Sequence, residues 1–532
     1  MKRLFDRAVF YLIEYFLFFA TKKLEIKMKF ERAAGILLHP TSLPGKYGIG
    51  DLGNEAYNFV NFLVESGQKL WQVFPLGPTG YGDSPYQCFS AFAGNPILVS
   101  PEKLSEAGFL EEHDIENIPC QNPHRIDYGD VINYKRFILK KAFESFKRNP
   151  NGLENEFNIF CENNSDWLED FSLFMAAKDY HGGRIWTSWD KGLVKREASA
   201  INSWKVKLTD DINYQKFVQF NFFKQWLSLK QYANKKGIKI IGDMPIFIAN
   251  DSADLWANKN LFTVNENGKL ETVAGVPPDY FSVTGQLWGN PLYRWNEMEK
   301  DDFLWWRKRM KSLLNLVDIV RIDHFRGFDA CWEIPGDAPT AETGKWVKAP
   351  GEKLFSALKK YLGELPIIAE DLGVITASVV ALRDKFDFPG IKILQFAFGT
   401  GMETKFLPHN FNSNCVVHTG SHDNDTTRAY FEKAKNEGNN IYSHAQKYLN
   451  YYGDNITYPL IRLAYASVAD MAVIPFQDIL NLGGDSRMNF PGKLGGNWVW
   501  RFTWDQVPSN LAQSYKEMAE LFDRPLKKKL IS

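Results

Sequence analysis

The chain has 532 residues with 63 basic and 63 acidic side chains, so its formal net charge is zero. That balance leaves no overall field to draw in nucleic acid or an anionic membrane surface, and a neutral partner is expected. Sixteen Trp, 22 Tyr and 41 Phe suit a groove in which the apolar faces of sugar rings lie on aromatic rings, although most of the Phe belongs in a core.

Residues Ala8 to Ala20 are mostly apolar and follow Lys2, Arg3 and Arg7. Glu14 interrupts that run, it is too short to span a bilayer, and Thr21-Lys22-Lys23 offers no small-x-small cleavage site. Met28 stands just before the first strand signal and reads as the functional start, with 1–27 as an N-terminal extension, either upstream translation or an appended helix, and 28–532 as a single catalytic unit. Cys88, Cys120, Cys161, Cys331 and Cys415 are odd in number and widely spaced, which fits reduced thiols in a cytosol.

Gly35 to Pro40 reads as a first strand. Asn54 is expected to cap a helix with apolar residues at Ala56, Phe59, Val60 and Leu63 that stops at Gly67, and Leu70 to Pro75 is a second strand. A βαβ unit implies a parallel sheet with a right-handed crossover. The loop from Gly77 to Gln87 is dense in Gly, Pro and polar groups, as ligand-binding loops after barrel strands are. Residues 97–235 are largely helical in pattern and read as an inserted subdomain, because a structureless loop of that length is improbable.

Gly237 to Ile246 is a third strand bearing Asp243, followed by a helix start at Asp251-Ser252-Ala253-Asp254. Residues 272–292, with Gln286 and Trp288, read as a long loop over a groove. Five more strand signals follow, at Asp318–Asp323, Pro366–Ala369, Gly390–Phe398, Cys415–Thr419 and Met471–Phe476. Eight strands alternating with helices give an α/β fold, a (β/α)8 TIM barrel. The tail beyond Pro491 is too short for a separate C-terminal β-domain.

Three of these strands run into acid, at Asp323, Glu370 and Asp423. Such barrels keep their chemistry at the C-terminal strand ends. There is no His-x-x-x-His or paired-Cys spacing, so glycosidic chemistry fits better than metal chemistry. Cleaving an acetal with retention needs an ionised nucleophile and a carboxylic acid about 5 Å apart. Arg321 shares a strand face with Asp323 and favours its charge, which suits the nucleophile; a structural ion pair closing a strand is the plain alternative. Glu370 follows the apolar Ile367-Ile368-Ala369 and suits the acid, while alternation sends Asp371 to the other face. Asp423 would oppose the positive charge of an oxocarbenium-like transition state, and His324 and His422 would donate to sugar hydroxyls.

The motifs Ile36 to Pro44, Gly80 to Gln87, Arg321 to Gly327, Ala369 to Gly373 and His418 to Asn424 together resemble the amylomaltase (4-α-glucanotransferase, disproportionating enzyme) family of the α-amylase superfamily. The resemblance implies a retaining double displacement on α-1,4-glucans and maltooligosaccharides, with glucose as an acceptor and with no metal or organic cofactor. It assigns Asp323 as nucleophile, Glu370 as acid and then base, and Asp423 as transition-state stabiliser. It also implies sugar contacts from Ser84, Tyr86, Asp243, Arg321, His324 and His422, with Gln286 and Trp288 on the acceptor side. Ser421 stands where Thr is common in that motif and keeps the hydroxyl. An amylase-type hydrolase, or a glucan-binding protein with an idle site, are the competing readings.

Overall fold

The computed structural model describes residues 30–116, 122–278, 282–399, 404–493 and 495–525. The extension at 1–27 and Cys120 lie outside the described residues. The strands among them are β1 (Ala33–Leu37), β2 (Leu70–Gln72), β3 (Lys239–Pro245), β4 (Thr272–Val276), β5 (Gln286–Pro291), β6 (Ile319–Asp323), β7 (Ala330–Pro335), β8 (Lys345–Lys348), β9 (Ile367–Ala369), β10 (Gly390–Ile393), β11 (Cys415–His418) and β12 (Met471–Pro475).

Eight of them close a barrel in the order β1-β12-β11-β10-β9-β6-β3-β2. Every neighbouring pair is parallel. All eight strand signals in the sequence therefore fall on barrel strands. The run Ile319-Val320-Arg321-Ile322 forms a strand because β-branched side chains pack well on a pleat, and Val320 and Ile322 are fully buried. Each such apolar side chain contributes about 1.5–3 kcal/mol by leaving water.

Register carries the polar side chains to one level. Asp243 of β3 is opposite Arg321 of β6, and Ile322 is opposite Ala369 of β9. The ladder runs on past β9, since the Glu370 amide donates to the Ile322 carbonyl at 3.0 Å and the Phe325 amide to the Glu370 carbonyl at 3.1 Å. Asp323 and Glu370 thus leave adjacent strands at the same height.

Two local expectations change. Asn54 begins the helix Asn54–Glu65 but does not cap it; Gly53 holds the cap position, and its amide donates to Asp51 Oδ1 at 2.9 Å. Residues 272–292 are largely strand, in a separate four-stranded antiparallel sheet ordered β5-β4-β7-β8. Gly275 is why that strand was hidden: a Cβ there would meet the Gln286 carbonyl at 2.2 Å, so the closeness of β4 and β5 forbids the side chain that alternation looks for. The helix start near Asp251 is as expected, with Ser252 Oγ accepting from the Leu255 amide at 3.2 Å.

Between β2 and β3 the described chain is mainly helical, including Tyr128–Arg148, Ser165–Tyr180 and Thr209–Lys235. The last of these flanks the barrel: Trp226 Nε1 donates to the Leu316 carbonyl at 2.8 Å and Tyr232 Oη to Asn61 Oδ1 at 2.7 Å. After β12 the chain returns over the barrel, where the buried Arg501 donates to the Gly45 carbonyl at 2.6 Å, and ends in the helix Leu511–Leu521. Among the described residues no helix is long and apolar enough to cross a membrane.

Candidate active site

The C-terminal strand ends open into a groove of about 940 Å³. Ser84, Tyr86, Gln286, Trp288, Asp323, His324, His422 and Asp423 all line it. Asp243 and Arg321 are buried and Glu370 is half-buried among them.

The floor is an electrostatic cluster. Arg321 donates through Nη1 to Asp243 Oδ2 and lies 3.0 Å through Nη2 from Asp323 Oδ1. Burial works against charge on this guanidinium, but Asp243, Asp323, Tyr86 and Glu370 together hold it firmly protonated. Tyr86 Oη donates to Asp243 Oδ2 at 2.9 Å; burial first, then the Asp243 charge, keep its hydroxyl protonated and able to donate. Burial pushes the Asp243 carboxyl up while Arg321 pulls it back.

Glu370 sits against the chain that follows Asp323. Its Oε2 accepts from the His324 amide at 2.8 Å and its Oε1 from the Leu372 amide at 2.8 Å. Burial, reinforced by the Asp323 charge, pushes its carboxyl up to about 7, against Arg321 and the two amide donors. A carboxyl poised there can hold a proton at neutral pH and give it up. Its neighbour Asp371 points away, accepting from the Ile391 amide at 2.8 Å and pairing with Arg383, so the alternation argument separates the two acids correctly.

His324 follows the strand in a left-handed conformation with φ of 51°, which turns its ring out of the barrel. Burial lowers its imidazole to about 4, so it is neutral. The Trp288 ring meets it edge-on with centroids 4.8 Å apart, and Trp288 Nε1 donates to Gln286 Oε1 at 3.1 Å. His422 stacks on Tyr86 at 5.0 Å, and its Nε2 lies 3.5 Å from Asp423 Oδ1. Ser84 Oγ accepts from the Tyr86 amide at 3.2 Å, so it shapes the loop that presents Tyr86.

Three contributors were not read from the sequence. Asn489 Nδ2 donates to Asp423 Oδ1 at 2.6 Å, and Arg487 Nη2 to the Asp423 carbonyl at 2.6 Å. Trp498, known from the sequence only as part of the tail, packs 5.8 Å from Tyr86 and 5.7 Å from His422. Isolated polar residues in the loop after β12 carry no periodic signal; only Trp498, in the run Trp498-Val499-Trp500, offers one.

Chemically, the cluster sets an acid that can hold its proton beside a carboxylate fixed by a cation, under an aromatic rim. The family model described as 4-alpha-glucanotransferase matches residues 38–506. A 4-alpha-glucanotransferase of Synechocystis sp. is 49% identical over 93% of this chain and 98% of its own length. That of Thermus thermophilus is also 49% identical, over 93% of this chain and all of its own length. Among solved structures, an amylomaltase from Streptococcus agalactiae in complex with acarbose superposes with a TM-score of 0.90 at 41% identity, covering 93% of this chain and 100% of that one. An amylomaltase from Corynebacterium glutamicum, at 18% identity over 91% of this chain and 73% of that one, shares the fold with a TM-score of 0.72. On this evidence the chain belongs to the 4-alpha-glucanotransferase family.

Proposed function

We propose that this protein is a 4-α-glucanotransferase that moves a segment of an α-1,4-glucan onto the 4-hydroxyl of glucose or a maltooligosaccharide. In the first step Glu370 protonates the leaving glycosidic oxygen while an Asp323 oxygen attacks the anomeric carbon from the opposite face. The C–O bond breaks, the shortened glucan departs with the proton, and a glycosyl ester forms on Asp323. In the second step Glu370, now a carboxylate, removes the proton of an acceptor 4-hydroxyl, which displaces Asp323 and restores the original configuration. Asp423 faces the positive charge that grows on the ring, held for that by Asn489. Tyr86, Asp243, Arg321, His324, His422 and Ser84 contact hydroxyls around the cleaved bond.

The single observation that carries this reading is the placement of Asp323 and Glu370 at one height on adjacent strand ends, with Arg321 3.0 Å from Asp323 and the Glu370 carboxyl held against the His324 amide, an arrangement that divides the nucleophile and acid roles between the two carboxyls. Transfer over hydrolysis is favoured because Trp288 and Gln286 cover the floor and offer an acceptor a surface that water does not need. Inserts at 97–235 and 272–292 shape the groove and its choice of glucan length. Free thiols at Cys88, Cys161, Cys331 and Cys415 support a cytosolic setting. The test is incubation with maltotriose alone, with products resolved by chain length. Longer maltooligosaccharides plus glucose at constant reducing ends support transfer. Rising reducing ends with only shorter products would make the protein a hydrolase, and unchanged maltotriose would leave only binding.

A further inference from the structure

The groove continues beyond Trp288 to a cluster that the chemistry above does not use. Asn290, two residues past Trp288, donates through Nδ2 to the Ile248 carbonyl at 2.8 Å. The segment Asn250–Asp251, two residues past Ile248, is therefore on the Trp288 side of the floor. There the groove is lined by Phe89, Lys178, Ile185, Asn250 and Asp251.

The helical stretch between β2 and β3 holds this end in place. Trp186, fully buried, donates through Nε1 to the Asn250 carbonyl at 2.9 Å. Lys178, only 6% exposed, donates to the Asp251 carboxylate and sits 4.8 Å above the Phe89 ring. The Asp251 side chain keeps 28% of its exposure and lines the groove, with Oδ2 paired to Lys178 and Oδ1 accepting a long 3.5 Å bond from the Trp186 amide. Asn250 Oδ1 is buried and has no hydrogen-bond partner among the described residues. A buried amide oxygen left unpartnered beside a groove needs an explanation, because desolvating it costs about 1–3 kcal/mol.

We infer that Asn250 and Asp251, braced by Lys178 and Trp186, form a remote sugar-binding subsite that reads glucan length. A carboxylate and an amide side by side fit the adjacent hydroxyls of a glucose unit, and Phe89 with Ile185 supplies an apolar wall for its C–H faces. The inference rests on the glucan reading given above and extends it to the helical insert, which thereby becomes part of the substrate groove.

The experiment compares kcat/KM for maltotriose through maltoheptaose in the wild type, Asn250→Ala and Asp251→Asn. The ratio of kcat/KM for maltoheptaose to that for maltotriose should fall about fivefold to tenfold in each variant, the worth of one or two hydrogen bonds. Calorimetric titration of both sugars in an Asp323→Asn background should show the same loss of length preference without turnover. An unchanged ratio in Asn250→Ala, or an equal loss at every length, would overturn the subsite. If the wild type converts none of these sugars, the transfer reading fails on its own, and the calorimetric comparison still decides whether the subsite exists.

Discussion

Asp243, Arg321, Asp323 and Glu370 stand on strand ends whose heights follow from parallel register, whereas Gln286, Trp288, Asn489 and Trp498 stand on an edge strand and a returning loop. The first group is tied by backbone ladders and a buried ion pair, so it cannot shift without breaking the barrel. In the second group, Gln286 and Trp288 are laddered on one side only, to β4 of the separate sheet, and Asn489 is tied by its side-chain bond to Asp423. Under the proposed mechanism the difference divides the work: bond cleavage falls to the floor, and the choice of what attacks the intermediate to the rim.

That division can be broken most severely at Asp323. Asp323→Asn should lower turnover by on the order of 10⁴-fold while glucan affinity, read by calorimetry, stays near the wild-type value. Comparable turnover in that variant would remove Asp323 from its role. Glu370 gives a pH signature of the floor. Its protonated form is the acid, so kcat/KM should fall about tenfold per unit as pH rises above about 7, and Glu370→Gln should abolish that alkaline limb along with most activity. An alkaline limb that persists in Glu370→Gln would assign the proton to another group.

The rim predicts a smaller and different effect. Trp288→Ala should cut the ratio of transfer to hydrolysis about tenfold, measured as longer products against new reducing ends, with donor cleavage far less affected. A parallel loss of both would place Trp288 in the floor instead. Smallest of all in catalysis is Asp371→Asn. Breaking its buried pair with Arg383 should cost roughly 3 kcal/mol of stability, seen in denaturant unfolding, while the folded fraction keeps its kcat.

The contrast between Glu370 and Asp371 also explains how much could be read from the chain. Side-chain alternation along a strand distinguished them from sequence alone, and the same rule placed Arg321 with Asp323. Short apolar runs located all eight barrel strands, and three of those runs lead into the acids Asp323, Glu370 and Asp423. β4, the strand paired with the edge strand that carries Trp288, reads as a loop in the sequence because Gly275 and the following Pro277-Pro278 mask its pattern. Asn489 and Asn250 act through tertiary neighbours far away in sequence, Asp423 and Trp186, and no local signal marks such residues. Asn54 was taken for a cap because its type favours that position, yet the backbone turn put Gly53 there.

The most direct test of the central claim is to feed Glu370→Gln an α-maltosyl fluoride, whose leaving group needs no acid, then quench and digest it for mass spectrometry. The account predicts a maltosyl adduct on the peptide bearing Asp323 that persists when maltose is added before quenching, because the base that would activate the acceptor hydroxyl is gone. An adduct on another carboxylate, or turnover of the fluoride with no adduct and inverted product, would contradict it.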